Sequence, residues 1–243
     1  MNSGFFAAFA GLVARTDALG LAANNLANIS TPGFKAQREF YTLLTSANIR
    51  PLLPVNQAIN DFAVLGGATL DLSPGNLEPT GNDLDLAIEG PGYFTVQTPA
   101  GVRYTRNGSF SLSASGRLVT HTGDPVLGDK GPIEIPGGPV SISADGTISV
   151  QGAVAARLSL AELPTGTALT LEGNSYFSAP AGARRDATES RVRQGVLESS
   201  NINPALSAVS LIELQRHVGM LQRALAIFNT EFNRIAVEDL PRV

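Results

Sequence analysis

The sequence predicts an α+β protein: long N- and C-terminal helices that pair as a coiled-coil-like bundle, and a central, mainly antiparallel β domain between them. Three observations lead there. The series Leu211, Leu214, Val218, Leu221, Leu225, Phe228, Phe232, Ile235 advances by threes and fours, which puts every member on one seam of a helix. Near the start, Phe5, Phe9, Leu12, Thr16, Leu19, Ala23 and Leu26 keep the same step, with one polar and one small member. Between the two seams, short β-rich segments recur at close spacing, separated by Gly, Pro and Asn turns. Apolar a/d periodicity sustained over three or more heptads favours a coiled coil over an ordinary surface helix.

The first helix is expected to start near Asn2 or Ser3, either of which can cap exposed amides, and to end near Asn28. Thr31 precedes Pro32, which disfavours helical backbone, and Gly33 permits positive φ, so the chain turns sharply. These residues form a first segment, 1–34. The stretch 35–80 has no long period and contains Pro51, Pro54 and Pro74; a helical continuation to about Ala47 followed by extended linker is expected.

A β domain is expected over 81–195. Leu84, Leu86 and Ile88 alternate with Asp83, Asp85 and Ala87, the pattern of a strand with one apolar and one wet face. Segments 93–96, 102–105, 109–112 and 117–120 follow as short strands, and 140–142 with 147–150 form a hairpin turning at Asp145-Gly146. Strands continue through 157–163 and 168–171. The last segment, 196–243, carries the second helix, with Asn203 as its cap, Pro204 in its first turn and Pro241 at its end.

Composition narrows the function. A formal net charge of −4, with Arg184-Arg185 diluted at once by Asp186 and Glu189, gives no clustered cations for nucleic acid. Cysteine is absent, which removes disulfides, thiolate metal sites and a cysteine nucleophile. The apolar run Phe5 to Ala14 is too short to span a bilayer, for which about 20 residues are needed. No Lys or Arg precedes it, and its period continues to Leu26, so it reads as an uncleaved helix and not a signal peptide.

No catalytic, cofactor or metal site is expected. His121 and His217 lie far apart with no ligand spacing, and Asp83-Leu84-Asp85 lacks the remaining acids of a calcium loop. No Gly-x-Ser-x-Gly elbow is present, and Gly137-Gly138-Pro139 sits between strands without a phosphate-binding helix. A peptidoglycan-acting enzyme would need paired carboxylates in a cleft, and a carbohydrate-binding module would favour aromatics; Trp is absent and aromatics make up only 6%. The reading is a non-enzymatic assembly subunit. Its expected interface comprises the seam residues Phe5, Phe9, Leu12, Leu19 and Leu26, the second seam from Leu211 to Ile235, and Asn24, Asn25, Asn28, Pro32, Gly33 and Phe34. Three Asn within five helical positions are costly by propensity, so they are expected to bond a neighbouring helix or loop, with helix-end capping as the alternative. The two helices, about 40 and 55 Å long at 1.5 Å per residue, exceed what a local cap on the β domain needs. As a lone pair they are expected to be marginal, so that their folding is coupled to polymerisation.

The stretch 24–35, NNLANISTPGFK, resembles the signature of the flagellar basal-body rod, hook and hook-associated axial proteins. Leu84 to Gly90 with Gly92-Tyr93-Phe94, then Tyr104 to Phe110, Gly116 to Thr120 and Gly123 to Gly128, resemble that family's β-domain strands and hairpins. Gly195 to Asn201 and Leu211 to Arg216 are similar to its C-terminal pattern. Within the family, 131–136 and 144–149 look most like proximal-rod members, with distal-rod members next and hook protein less similar. Val218 departs from the family, which often carries an aromatic residue after Gln-Arg, and so does Gly219. The resemblance implies a subunit exported unfolded by the flagellar type III apparatus and assembled helically in the periplasm with copies of itself and other rod subunits. It also implies terminal helices lining an inner tube, a β domain outside them, no nucleic acid and no membrane span.

Overall fold

The computed structural model describes residues 2–44, 62–164, 166–173 and 175–238. The chain divides into two compact units, one formed by Met1–Ala27, Gln37–Asp71 and Asn203–Val243, the other by Asn28–Ala36 and Leu72–Ile202.

The first unit contains helix α1 (Asn2–Ala27), strands β1 (Gln37–Leu44) and β2 (Phe62–Leu70), and helix α2 (Pro204–Glu238). Both helices run where the apolar periods place them. At the start of α2 the Leu206 amide donates to Asn203 Oδ1 at 3.1 Å, the cap expected from the sequence, and Pro204 takes the first helical position. The expected end at Pro241 lies outside the described residues. The helices touch each other, and Leu221 Cδ1 lies 3.9 Å from where a Cβ on Gly11 would stand. The helical continuation expected after Lys35 is not there: Gln37–Leu44 is a strand, antiparallel to Phe62–Leu70, with its register shifting between Phe40 and Tyr41. The strand is set by a partner about 20 to 30 positions further along the chain, which carries no local sequence signal. Residues 45–61 lie outside the described residues, as does the end of the helix expected at Ala47.

The second unit is β throughout. In order its strands are β3 (Leu77–Pro79), β4 (Leu86–Glu89), β5 (Gly92–Thr98), β6 (Gly101–Thr105), β7 (Phe110–Leu112) and β8 (Leu118–Thr120). Next come β9 (Leu127–Gly128), β10 (Gly131–Pro132), β11 (Val140–Ile142), β12 (Thr147–Val150), β13 (Ala153–Arg157) and β14 (Leu160–Glu162). The last are β15 (Thr170–Glu172), β16 (Tyr176–Ser178), β17 (Arg185–Asp186), β18 (Arg191–Gln194) and β19 (Val196–Glu198). The largest sheet has six strands in the order β15-β16-β6-β5-β14-β17, and β11-β12-β13 form a three-stranded sheet turning at Asp145-Gly146. Among the described residues every strand pair is antiparallel, including two long-range pairs, β18 with β4 and β19 with β3.

The core gathers Leu86, Phe94, Leu118, Val126, Ile148 and their neighbours, with Phe94 and Phe110 edge-on at 5.1 Å between ring centroids. Here the expected one-sided strand is corrected. Leu86, Ala87 and Ile88 are all buried, and so is Asp85. The Asp85 carboxylate accepts from Asn82 Nδ2 at 3.1 Å, while its carbonyl accepts from the Gly195 amide at 2.8 Å. Strand β18 pairs along one edge of β4, and on the other the Leu86 amide donates to the Gly108 carbonyl at 3.0 Å, so the segment is flanked on both sides and is not an open edge.

Candidate functional site

The stretch 28–36 does not extend the helix; it folds into the β unit. The Thr31 amide donates to the Asn28 carbonyl at 3.1 Å, and Thr31 Oγ1 to Asn28 Oδ1 at 3.3 Å, closing a turn. Gly33 then adopts φ +66°, and a Cβ there would overlap the backbone of Arg106 and Asn107. Only glycine satisfies both conditions. Its amide donates to the Glu198 carbonyl at 2.7 Å, and Phe34 is buried beside it in sequence.

Lys35 follows, almost wholly buried, and its ammonium donates to Glu198 Oε1 at 2.5 Å and to the Ser73 carbonyl at 2.8 Å. Glu198 is equally buried; Oε1 also accepts from the Gly75 amide at 3.0 Å, and Oε2 accepts from Arg106 Nη1 at 3.2 Å. Arg106 donates further to the carbonyls of Ile88 and Gly90, at 3.1 and 2.5 Å, and lies over the Tyr93 ring at 5.0 Å. Two buried cations thus face one carboxylate, and main-chain carbonyls with an aromatic face stabilise the excess positive charge. Burial pushes the Tyr93 phenol above its ordinary value, opposed by the charge of Arg106 and assisted by that of Glu198.

Around this cluster, three of the points where the chain leaves the β unit are stitched together. The Ala36 amide donates to Asn201 Oδ1 at 2.8 Å, Asn201 Nδ2 donates to the Ser73 carbonyl at 3.2 Å, and the Ser199 amide donates to the Asn76 carbonyl at 2.8 Å. Such bonds fix the start, the return and the exit of the β unit with no catalytic group among them.

The predicted interface residues separate into two sets. Gly33 and Phe34 are buried within the β unit, and Pro32 is half-buried, so they serve an internal joint here. In the helical unit Asn25 donates Nδ2 to the Gln37 carbonyl at 2.8 Å and accepts from the Gln37 amide at 2.9 Å, which ties α1 to β1. Asn24 is exposed. Of the seam positions, Leu214 is buried; Leu12, Leu19, Leu26, Leu211, Val218, Leu221 and Leu225 are half-buried; Phe9 and Phe228 are 52% and 51% exposed. The side chains of Phe5, Phe232 and Ile235 lie outside the described residues. The face of α1 that is most buried is not its predicted seam but the small pair Ala14 and Ala18. Small side chains let another helix approach closely, and a count of large apolar residues overlooks them.

Sequence reasoning missed Lys35, Arg106 and Glu198 as a group. The one local signal was Glu198, a charge closing the apolar stretch Gly195-Val196-Leu197; Lys35 and Arg106 stand among other polar and charged residues and carried none. Elsewhere in the β unit a groove of about 530 Å³ is lined by Asp129, Asp145, Asp186 and Arg157. Hydrogen bonds from Thr147 hold the exposed Asp145 carboxyl below its ordinary value, the opposite of what a general acid requires. Among the described residues no cluster of His, Cys, Asp and Glu could hold a metal ion, and no helix is long and apolar enough to cross a membrane.

A β unit whose chain ends are hydrogen-bonded together, and a helical unit that leaves large apolar side chains exposed, are the features of an assembly subunit. Residues 87–150 match the family model described as the flagellar hook protein FlgE/F/G D1 domain, and 193–227 match the flagellar basal body rod FlgEFG protein C-terminal model. The flagellar basal-body rod protein FlgF of Caulobacter vibrioides is 35% identical over 231 residues, covering 93% of this chain and 92% of that protein. FlgF of Mesorhizobium japonicum is 32% identical over 222 residues, 89% of each. FlgG of Buchnera aphidicola subsp. Schizaphis graminum is 32% identical over 231 residues, 85% of this chain and 88% of that protein. The chain belongs to the FlgF/FlgG family of flagellar basal-body rod proteins and is a structural subunit of the rod.

Proposed function

We propose that the chain is exported unfolded by the flagellar type III apparatus, without a cleaved signal peptide, and polymerises helically in the proximal, periplasmic part of the rod. Its partners there are copies of itself and other rod subunits, met through α1 and α2, which pair in a coiled-coil-like manner. The predicted seams, with Asn24 at the end of α1, form the contact surface. No catalysis is assigned. The observation that carries this reading is the exposure of large apolar side chains on both seams: Phe9 at 52% and Phe228 at 51%. Apolar area left in water by the isolated chain is area that neighbouring subunits can cover, at about 25 cal/mol per Å² removed from water. The higher identity to FlgF relatives supports a proximal position; a distal-rod or hook-type subunit is the alternative.

Hydrogen exchange tests the coupling of helix folding to assembly. Amides in α1 and α2 are expected to exchange freely in dilute chain and to become protected in assembled material, while the β unit stays protected in both. Strong protection of both helices in dilute monomer overturns the reading.

A further inference from the structure

We infer that α2 carries a second contact face, distinct from its seam, and that it receives the outward face of α1 from another copy of this chain. The inference rests on the assembly reading above and specifies which surfaces meet. Leu206, Val209, Met220 and Ile227 are all about half exposed or more. Glu213, Arg216 and Arg223, also exposed, fill the positions between them. Together the seven advance by three and four residues, as a seam does, but at 3.6 residues per turn they lie roughly 130° round the helix from the seam centred on Leu214 and Leu225. A helix cannot present both faces to one straight partner. Since α1 of the same chain already meets α2 where Gly11 faces Leu221, the second face is left for another molecule.

Charge selects the occupant. The second face of α2 carries Glu213, Arg216 and Arg223, an excess of one positive charge. The outward face of α1 carries Phe9, Val13 and Asp17, all exposed, with Asp17 its only charge. Among the described residues, none of Asp17, Arg216 and Arg223 takes part in an ion pair. An apolar strip with one acid therefore matches an apolar strip with a basic excess, and such pairing fixes register more than it adds affinity.

A charge exchange in trans tests it, on full-length chains by sedimentation of assembled material. Asp17→Arg alone makes both faces basic, and Arg216→Asp with Arg223→Asp in one chain makes both acidic; each is expected to lower the assembled fraction at least tenfold. An equimolar mixture is expected to restore it, because each variant's α1 face then meets the other's α2 face. If the variants assemble singly like the unaltered chain, or the mixture stays as soluble as its components, the second face is wrong while the assembly reading stands. If the unaltered chain never assembles, both fall.

Discussion

Lys35 and Glu198, 163 positions apart in the chain, share an ion pair of 2.5 Å with each side chain 1% exposed. The pair welds the family's Asn-rich N-terminal signature to the last β strand, just before the chain leaves for α2. It also explains why Gly33 and Phe34 are buried: the peptide must lie flat on the β unit for the ammonium of Lys35 to reach Glu198.

Removing the carboxylate should cost far more than a surface ion pair. Glu198→Ala strands two buried cations, Lys35 and Arg106, and leaves the Gly75 amide without its acceptor. Breaking a buried pair in this way costs about 3–5 kcal/mol. Urea unfolding of the full chain is expected to show that loss in the β unit's transition. Glu198→Gln should lose less, since its amide oxygen still accepts from Gly75.

Two glycines should respond in opposite directions to the same substitution. Gly33→Ala forces a Cβ into the Arg106 and Asn107 backbone at a φ of +66°, so it should destabilise the β unit strongly. Gly219 sits in the middle of α2 with nothing within 4 Å of where its Cβ would stand. Gly219→Ala should raise helix stability by about 1 kcal/mol, read as increased helicity by circular dichroism.

Alkaline stability should depend on Tyr93. Burial raises its folded-state pKa above the ordinary 10.0. The unfolded phenol therefore ionises first, and the stability contributed by the neutral buried ring is complete below pH 10 and lost as pH rises through the folded value. Tyr93→Phe is expected to flatten the decline in unfolding free energy as pH rises above the ordinary phenol value of 10.0, measured by urea titration at each pH.

Periodic features were legible in the sequence and long-range ones were not. The heptad steps located α1 and α2, and Asn203-Pro204 marked the start of α2 because capping is a local effect. Hairpins such as β11–β12 were visible through their turn residues. Strand β1 was misread as helix because its pairing with Phe62–Leu70 is set across an intervening stretch with no period. Asp85 was misread as solvated because its cover comes from Asn82 and Gly195, the second of them 110 positions away. The Lys35, Arg106 and Glu198 group follows the same rule: single charges from three distant segments become a site only when the sheets close. Asn28 accepts from Thr31 in a local turn, whereas Asn25 bonds β1.

Exposure separates residues that hold the subunit together from those kept for its neighbours. Leu214 is buried in the helical unit, and Leu214→Asp should disrupt that unit. Phe9 and Phe228 are more than half exposed, so an acidic side chain at either meets water and not a packed interior. Surface substitutions of this kind shift stability by about 0.5 kcal/mol or less. Phe9→Asp and Phe228→Asp are therefore expected to leave thermal unfolding of the dilute chain unchanged, yet to abolish incorporation into rods, scored by loss of motility in cells that make only the variant. Normal motility with both would remove the exposed ends of the seams from the interface and leave Leu214 and its half-buried neighbours as purely internal packing.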